Sequence, residues 1–298
     1  MANKFGGEWT REKLVCVRRY LDAYATAMKK QEWVTTWYID AFAGSGYVQL
    51  RTGQPSLFQD FQDAADASTA LLQGSALQSL KVSPAFDNFL FIEKSPEHAR
   101  SLEDICHDHS HLSERVQLLQ GDANLLLPEY CARFRGSNRG VLFLDPYAME
   151  INWETLKAVA ETERLDVWYL VSISAINRML PRSGVFPDGW EAKLTRYFGT
   201  DDWKDILYQK PKVRPGIFDS LLSESPGEEL TKSADFQDLK GFVLKQLGKI
   251  FRGGVAPNPK WLFNDNGAPL FLLCFAVSNP ADPAKSIALD IAKYILEM

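Results

Sequence analysis

Apolar positions along this chain follow two alternating rhythms. Over residues 10–31 they recur at helical spacing, with Leu14, Val17, Leu21, Tyr24, Ala25 and Met28 on one face. Lys13, Arg18 and Arg19 fall toward the polar side of that helix. WVTTWYIDAFA follows, a near-continuous apolar run whose β-branched and aromatic start marks a buried strand. Residues 51–62 read as a loop and 63–80 as a helix interrupted by Gly74. FDNFLFIEK, 86–94, is a second strand ending on Glu93, and Ser95-Pro96 then opens a helix with a capping serine and a proline at its first position. A third strand, 115–124, runs into a turn at Gly121-Asp122, and a short helix covers 125–134. RGVLFLDPYAM supplies a fourth strand that stops at Asp145, WETLKAVAET a helix, and 165–174 a fifth strand.

Near-continuous apolar strands alternating with helices predict an α/β fold, its parallel sheet covered on both faces. The rhythm breaks over 176–258, which holds Pro181, Pro187, Pro211, Pro215 and a polar SESPGEE stretch, with helices near 189–208 and 233–251. It resumes in WLFNDNGAPLFLLCFAVSNP, two strands around an Asp-Asn-Gly turn, and a last helix over 283–297. The expected organisation is therefore a core of 1–175 and 259–298, with 176–258 a mainly helical insertion available for substrate or partner contact.

Composition changes this picture little. The 298 residues, 46% hydrophobic and 24% charged, suit one large domain carrying an insertion. A net charge of -5 argues against coating nucleic acid by charge alone, although Lys204, Lys210, Lys212 and Arg214 add local basicity. No apolar run reaches the roughly 18 residues that suggest a membrane span, so no membrane association is expected. The polar start, MANKFGGEWTREK, does not read as a secretory signal, and the four scattered cysteines form no CxxC pair. A cytoplasmic protein with reduced thiols is the expectation. His107, His109 and His111 alternate at a predicted helix end, which reads as a solvated terminus, and no metal site is expected. Asn177 and Arg178, after the fifth strand, either face substrate or cap and pair at a helix start.

The chemistry sits at the strand ends. Parallel α/β sheets bind ligands beyond the carboxyl ends of their strands, and here those ends carry Asp40, Glu93, Asp122 and Asp145. Any one of them alone is a turn former or a helix cap; four in succession mark a cleft. In Asp40-Ala41-Phe42-Ala43-Gly44-Ser45-Gly46 the glycines let a backbone come close to a ligand. Glu93, next to Lys94, is placed to accept from ribose hydroxyls. Asp122, next to Ala123, is placed to accept from an exocyclic amine, because an ionised carboxylate has only acceptors. Asp40 and Glu93 lie 53 residues apart, against about 20 in a dinucleotide fingerprint, which disfavours NAD without removing it. Asp145-Pro146-Tyr147 sets an acceptor, a fixed backbone and an aromatic ring beside the same cleft.

DAFAGSG, an acidic strand end, GDA and LFLDPY resemble the successive motifs of class I S-adenosylmethionine-dependent methyltransferases. Within these, YIDAFAGSG, FIEK, GDAN, LFLDPY, NWETLKAVAETERLDVWYLVSISAINRML and FGTDDW resemble the three-Cys-motif partner (TcmP) proteins, over most of 10–205 and the final strands. The resemblance implies a Rossmann-like class I methyltransferase sheet, mostly parallel with an antiparallel last strand. It implies S-adenosylmethionine as cofactor, held by Asp40, Phe42, Ala43, Gly44, Ser45, Gly46, Glu93, Lys94, Asp122 and Ala123. Asp145, Pro146 and Tyr147 would form the transfer site; their own chemistry, an acceptor carboxylate beside a fixed backbone and a ring, fits transfer to a nitrogen such as that of a nucleic-acid base. A three-Cys-motif protein is the implied partner. Two alternatives stand beside this: a non-catalytic methyltransferase-like partner of that protein in a mobile-element or defence system, and an enzyme using NAD or another nucleotide. One departure is visible. Amino-methylating enzymes of nucleic acids carry Asp/Asn-Pro-Pro-Tyr/Phe, whereas this chain has Asp145-Pro146-Tyr147-Ala148, one proline short.

Overall fold

The computed structural model describes residues 8–44, 75–209, 230–264 and 266–298. The chain opens with α1 (Glu8–Met28) and β1 (Thr35–Asp40); helical residues 75–80 form α2. β2 (Asn88–Glu93), α3 (Pro96–Asp108), a 3-10 turn (Ser110–Arg115), β3 (Val116–Gln120), α4 (Ala123–Arg133) and β4 (Asn138–Leu144) follow. Next come α5 (Trp153–Glu161), β5 (Leu165–Val171), α6 (Ile173–Arg178), α7 (Trp190–Phe198) and α8 (Trp203–Leu207). A small hairpin pairs β6 (Tyr208–Gln209) with β7 (Thr231–Lys232). The chain ends with α9 (Phe236–Ile250), β8 (Gly254–Val255), β9 (Lys260–Phe263), β10 (Pro269–Val277) and α10 (Ala284–Leu296).

The main sheet has the order β3-β2-β1-β4-β5-β10-β8, with β9 also paired to β10. Strands β1 to β5 are mutually parallel, and β10 runs antiparallel to β5, β8 and β9. This is a Rossmann-like sheet, mostly parallel with one antiparallel strand inserted beside β5. The order reverses between β1 and β4, and that crossing is the topological switch point at which such sheets bind ligands.

Alternation along each strand builds two cores. Ile39, Leu90, Leu142, Tyr169 and Cys274 face one side, under α4 to α9. Tyr38, Phe89, Phe91, Phe143, Trp168 and Phe275 face the other, under α1, α3 and α10. Helix starts follow the capping chemistry of the sequence. Ser95 accepts from the His98 backbone N–H and Pro96 opens α3, while Asp235 and Asp238 form a capping box on α9.

Two element boundaries differ from expectation. Residues 189–208 form two helices, because Gly199 adopts φ 71° and closes α7 against Trp153. The fifth strand stops at Val171, and the Ser-Ile-Ser that follows enters α6. Within 176–258, Leu194, Tyr197, Trp203, Phe242 and Leu247 join the core beneath the sheet, and β8 pairs directly with β10. Arg18 binds the backbone carbonyls of Gln78 and Lys81, clamping α1 to the end of α2. Among the described residues no helix is long and apolar enough to cross a membrane.

Candidate functional site

β1, β2 and β4 and the turn after β3 end on one edge of the sheet, around a cleft of about 320 Å³. Its lining includes Phe42, Gly44, Glu93, Lys94, Asp122, Ala123, Asp145 and Tyr147, eight of the positions singled out by sequence. His98, Asn124 and Glu150 complete its polar wall. The volume lies within the range usual for small-molecule sites.

Glu93 is fixed by backbone donors on both sides. Gly44 takes φ 66°, a left-handed conformation natural to glycine, and its N–H donates to Glu93 Oε2 at 2.7 Å. The Ser95 N–H donates to Oε1 at 2.7 Å, and His98 Nδ1 lies 3.5 Å from the same oxygen. Each carboxylate oxygen therefore keeps acceptor capacity on the cleft side. Ala43 is buried, its N–H donating to the Ile92 carbonyl, so the turn after β1 folds over the end of β2.

Asp122 has two tasks already. Its Oδ1 accepts from the Asn124 N–H at 2.9 Å, capping α4, and its Oδ2 accepts from Lys94 Nζ at 2.9 Å. The Lys94 hydrogen bond, with the Asn124 donors, holds the Asp122 carboxyl below the usual carboxylate range. Lys94 itself is 73% exposed, so this pair is screened by solvent. Asn124 bridges to the loop after β4. Its side chain donates to the Glu150 carbonyl at 2.9 Å and accepts from the Asn152 N–H at 2.8 Å and the Thr155 hydroxyl at 2.9 Å.

Asp145 and Asp40 form the deep part of the site. Asp145, 2% exposed, accepts from Lys13 Nζ at 3.0 Å on Oδ2. Lys13 is wholly buried between the rings of Trp9 and Phe143, 5.6 and 5.8 Å from their centroids. Burial lowers the Lys13 pKa and raises that of Asp145, each against the pull of its partner. The expectation that Lys13 lies on the polar side of α1 is thus corrected. Its place was readable: Trp9, Lys13, Cys16 and Tyr20 recur at spacings of four, three and four, one continuous buried stripe.

Asp40 lies behind this pair and does not line the cleft. It accepts from the Tyr38 hydroxyl at 3.4 Å, from the Phe42 N–H at 3.3 Å, and from Ser75. Burial pushes its carboxyl up to about 7, and the nearby Asp145 adds to that rise. Asp40 braces the turn that carries Phe42 to Gly44. Pro146 is buried, while Tyr147 stands 42% exposed at the cleft mouth, before Ala148 at φ 50°. Ser45 and Gly46, and Lys210, Lys212 and Arg214, lie outside the described residues. Asn177 is engaged by Lys232 and is not part of the cleft lining, and His109 caps the end of α3, its Nδ1 3.0 Å from the Ile105 carbonyl.

No family model matches the chain, and no curated protein does. Solved structures do. Protein LPL1258 from Legionella pneumophila str. Philadelphia 1, of family DUF519, is 15% identical at a TM-score of 0.45, covering 97% of this chain and 92% of its own. The putative methyltransferase yhhF from Escherichia coli is 13% identical at a TM-score of 0.28, covering 57% of this chain and 74% of its own. A conserved hypothetical protein of Streptococcus pyogenes is 16% identical at a TM-score of 0.30, covering 54% and 81%.

Proposed function

We propose that the cleft binds S-adenosylmethionine and that the protein methylates a nitrogen, with a nucleic-acid base as the acceptor class. The charge of the lining carries this reading. Glu93, Asp122, Asp145 and Glu150 stand against Lys94 and His98, and Lys94 is already paired with Asp122. A carboxylate-rich wall favours a cationic sulfonium ligand and works against the pyrophosphate of a dinucleotide.

The donor set fits that cofactor. Glu93, with one backbone donor on each oxygen, has acceptor capacity left for two ribose hydroxyls. Asp122 keeps lone pairs for an adenine amine, with Ala123 beside it. Phe42 and Gly44 would meet the methionine portion, on a turn that buried Asp40 and Ala43 support. The bound cofactor supplies an activated methyl group together with its own leaving group.

The remaining work belongs to the chain. Lys13 occupies Asp145 Oδ2 and favours the ionised carboxylate against burial, which leaves Oδ1 to accept a proton of the acceptor amine and turn its lone pair inward. Positioning of this kind provides much of the rate in such transfers. Tyr147, exposed at the mouth, offers a ring on which a planar base can stack.

The test is transfer of a tritiated methyl group from S-adenosylmethionine to adenine-containing RNA and DNA oligonucleotides. Asp145→Asn should lower transfer by at least about 100-fold, a typical share for a positioned proton acceptor, and leave cofactor affinity within a factor of about three. Full transfer by a folded Asp145→Asn protein would remove the catalytic role. Absence of transfer to every nucleic acid would leave the acceptor class without support.

A further inference from the structure

A second cavity, about 460 Å³, opens at the opposite end of the sheet. It lies where β4 and β5 begin and β10 ends, between the second half of α1 and the first half of α10. Met28, Val277, Ile287 and Ile291 make its walls largely apolar. None of its lining residues is shared with the carboxylate cleft.

Its polar groups converge. Asp166 accepts from the Tyr20 hydroxyl at 2.7 Å at the cavity floor. Tyr24, only 6% exposed, lines the cavity, and its hydroxyl has no hydrogen-bond partner among the described residues. That hydroxyl feels the charges of both Asp166 and Arg139. The ring is mostly buried and lines the cavity, so its hydroxyl can serve a bound molecule as donor or acceptor.

Arg139 and Arg164 stand at the rim. Both donate to the Gly136 carbonyl, at 3.0 and 2.8 Å, and Arg139 also lies over the exposed Trp33 ring. No carboxylate among the described residues forms an ion pair with either. Two neighbouring guanidinium groups, each with donors to spare, match a carboxylate or phosphate.

We propose that this cavity is a second ligand site, for an amphipathic organic anion. Its apolar body would lie between α1 and α10, its carboxylate or phosphate head on Arg139 and Arg164, and its inner end against Tyr24. Such a body can be an aliphatic chain or a flat aromatic ring, and the probes should separate the two.

Calorimetry on the full chain with dodecanoate and with 2-naphthoate, alongside dodecanol and 2-naphthamide, tests this. At least one acid should bind saturably at one per chain, with its uncharged counterpart at least about tenfold weaker, as loss of a charged hydrogen-bond pair predicts. The preferred acid identifies the body. Arg139→Gln with Arg164→Gln should weaken binding by about tenfold, and Ala27→Trp or Ala288→Phe should abolish it by filling the cavity. Ala27 is only partly buried, so that variant keeps the test available should Ala288→Phe fail to fold. The proposal falls if neither acid binds below millimolar concentration, if the uncharged probes bind equally well, or if folded Ala27→Trp binds as wild type does. Titration of S-adenosylhomocysteine on the same variants should be unchanged, which keeps this site separate from the cleft.

Discussion

Asp40 ends a strand with no solvent in reach, its carboxyl pushed up to about 7 by burial. A raised pKa means the folded state holds this proton where the unfolded chain, titrating near 3.9, has lost it. The associated stability is fully present below about pH 4 and is lost as pH rises through about 7, on the order of 4 kcal/mol in all. Relative to wild type, Asp40→Asn should therefore gain stability between pH 4 and pH 8, read from urea midpoints at each pH. Parallel profiles for the two proteins would contradict this. At the same scale the sequence was partly legible. Asp40, Glu93, Asp122 and Asp145 could be located because apolar strands end visibly on a carboxylate. That Asp40 turns inward while Glu93 faces the cleft depends on Tyr38 and Ser75 closing around it, a tertiary fact. Asp122 keeps the capping role expected of an aspartate before a helix, and still lines the cleft.

Elements were easier to read than their ends. Long apolar strands and capped helices appear where patterning places them, but Ser172-Ile173-Ser174 continues the alternation of β5 and yet turns into α6. Gly199 carried a stop signal that the helical pattern around it masked. Helix α1 is the element whose part in the site was least visible, since a lysine reads as a polar-face residue. Through Lys13 it reaches Asp145, 132 residues away in sequence. Removing one member of a buried pair leaves the other charge unsatisfied, so Lys13→Met should cost about 3–5 kcal/mol. Adding Asp145→Leu should restore most of that loss, because an apolar pair needs no desolvation. Urea unfolding of the wild type and both variants measures this. A loss below about 1 kcal/mol for Lys13→Met would mean that the pair does not hold α1 to the sheet.

At the scale of the whole molecule, one sheet separates two cores and presents two different pockets at its ends. Lys13 and Tyr24 lie on the same helix, about 16 Å apart along its axis, one at the acidic cleft and the other at the arginine-rimmed cavity. A mostly parallel sheet was readable from the strand and helix alternation, and its antiparallel last strand from the family resemblance; the order 3-2-1-4-5 emerged only in the fold. The position of the described helices within 176–258 against the sheet was not readable, because they bury faces whose partners are distant in sequence. In the proposed function the cleft at the switch point holds a cationic nucleoside cofactor. Calorimetry of the wild type and Glu93→Gln with S-adenosylmethionine, S-adenosylhomocysteine and NAD tests it most directly. The first two should bind saturably at one per chain, at least about tenfold more weakly to Glu93→Gln, and NAD should show no measurable binding. Binding of NAD in preference to both, or no binding of either adenosyl compound to the folded protein, would contradict the proposed function.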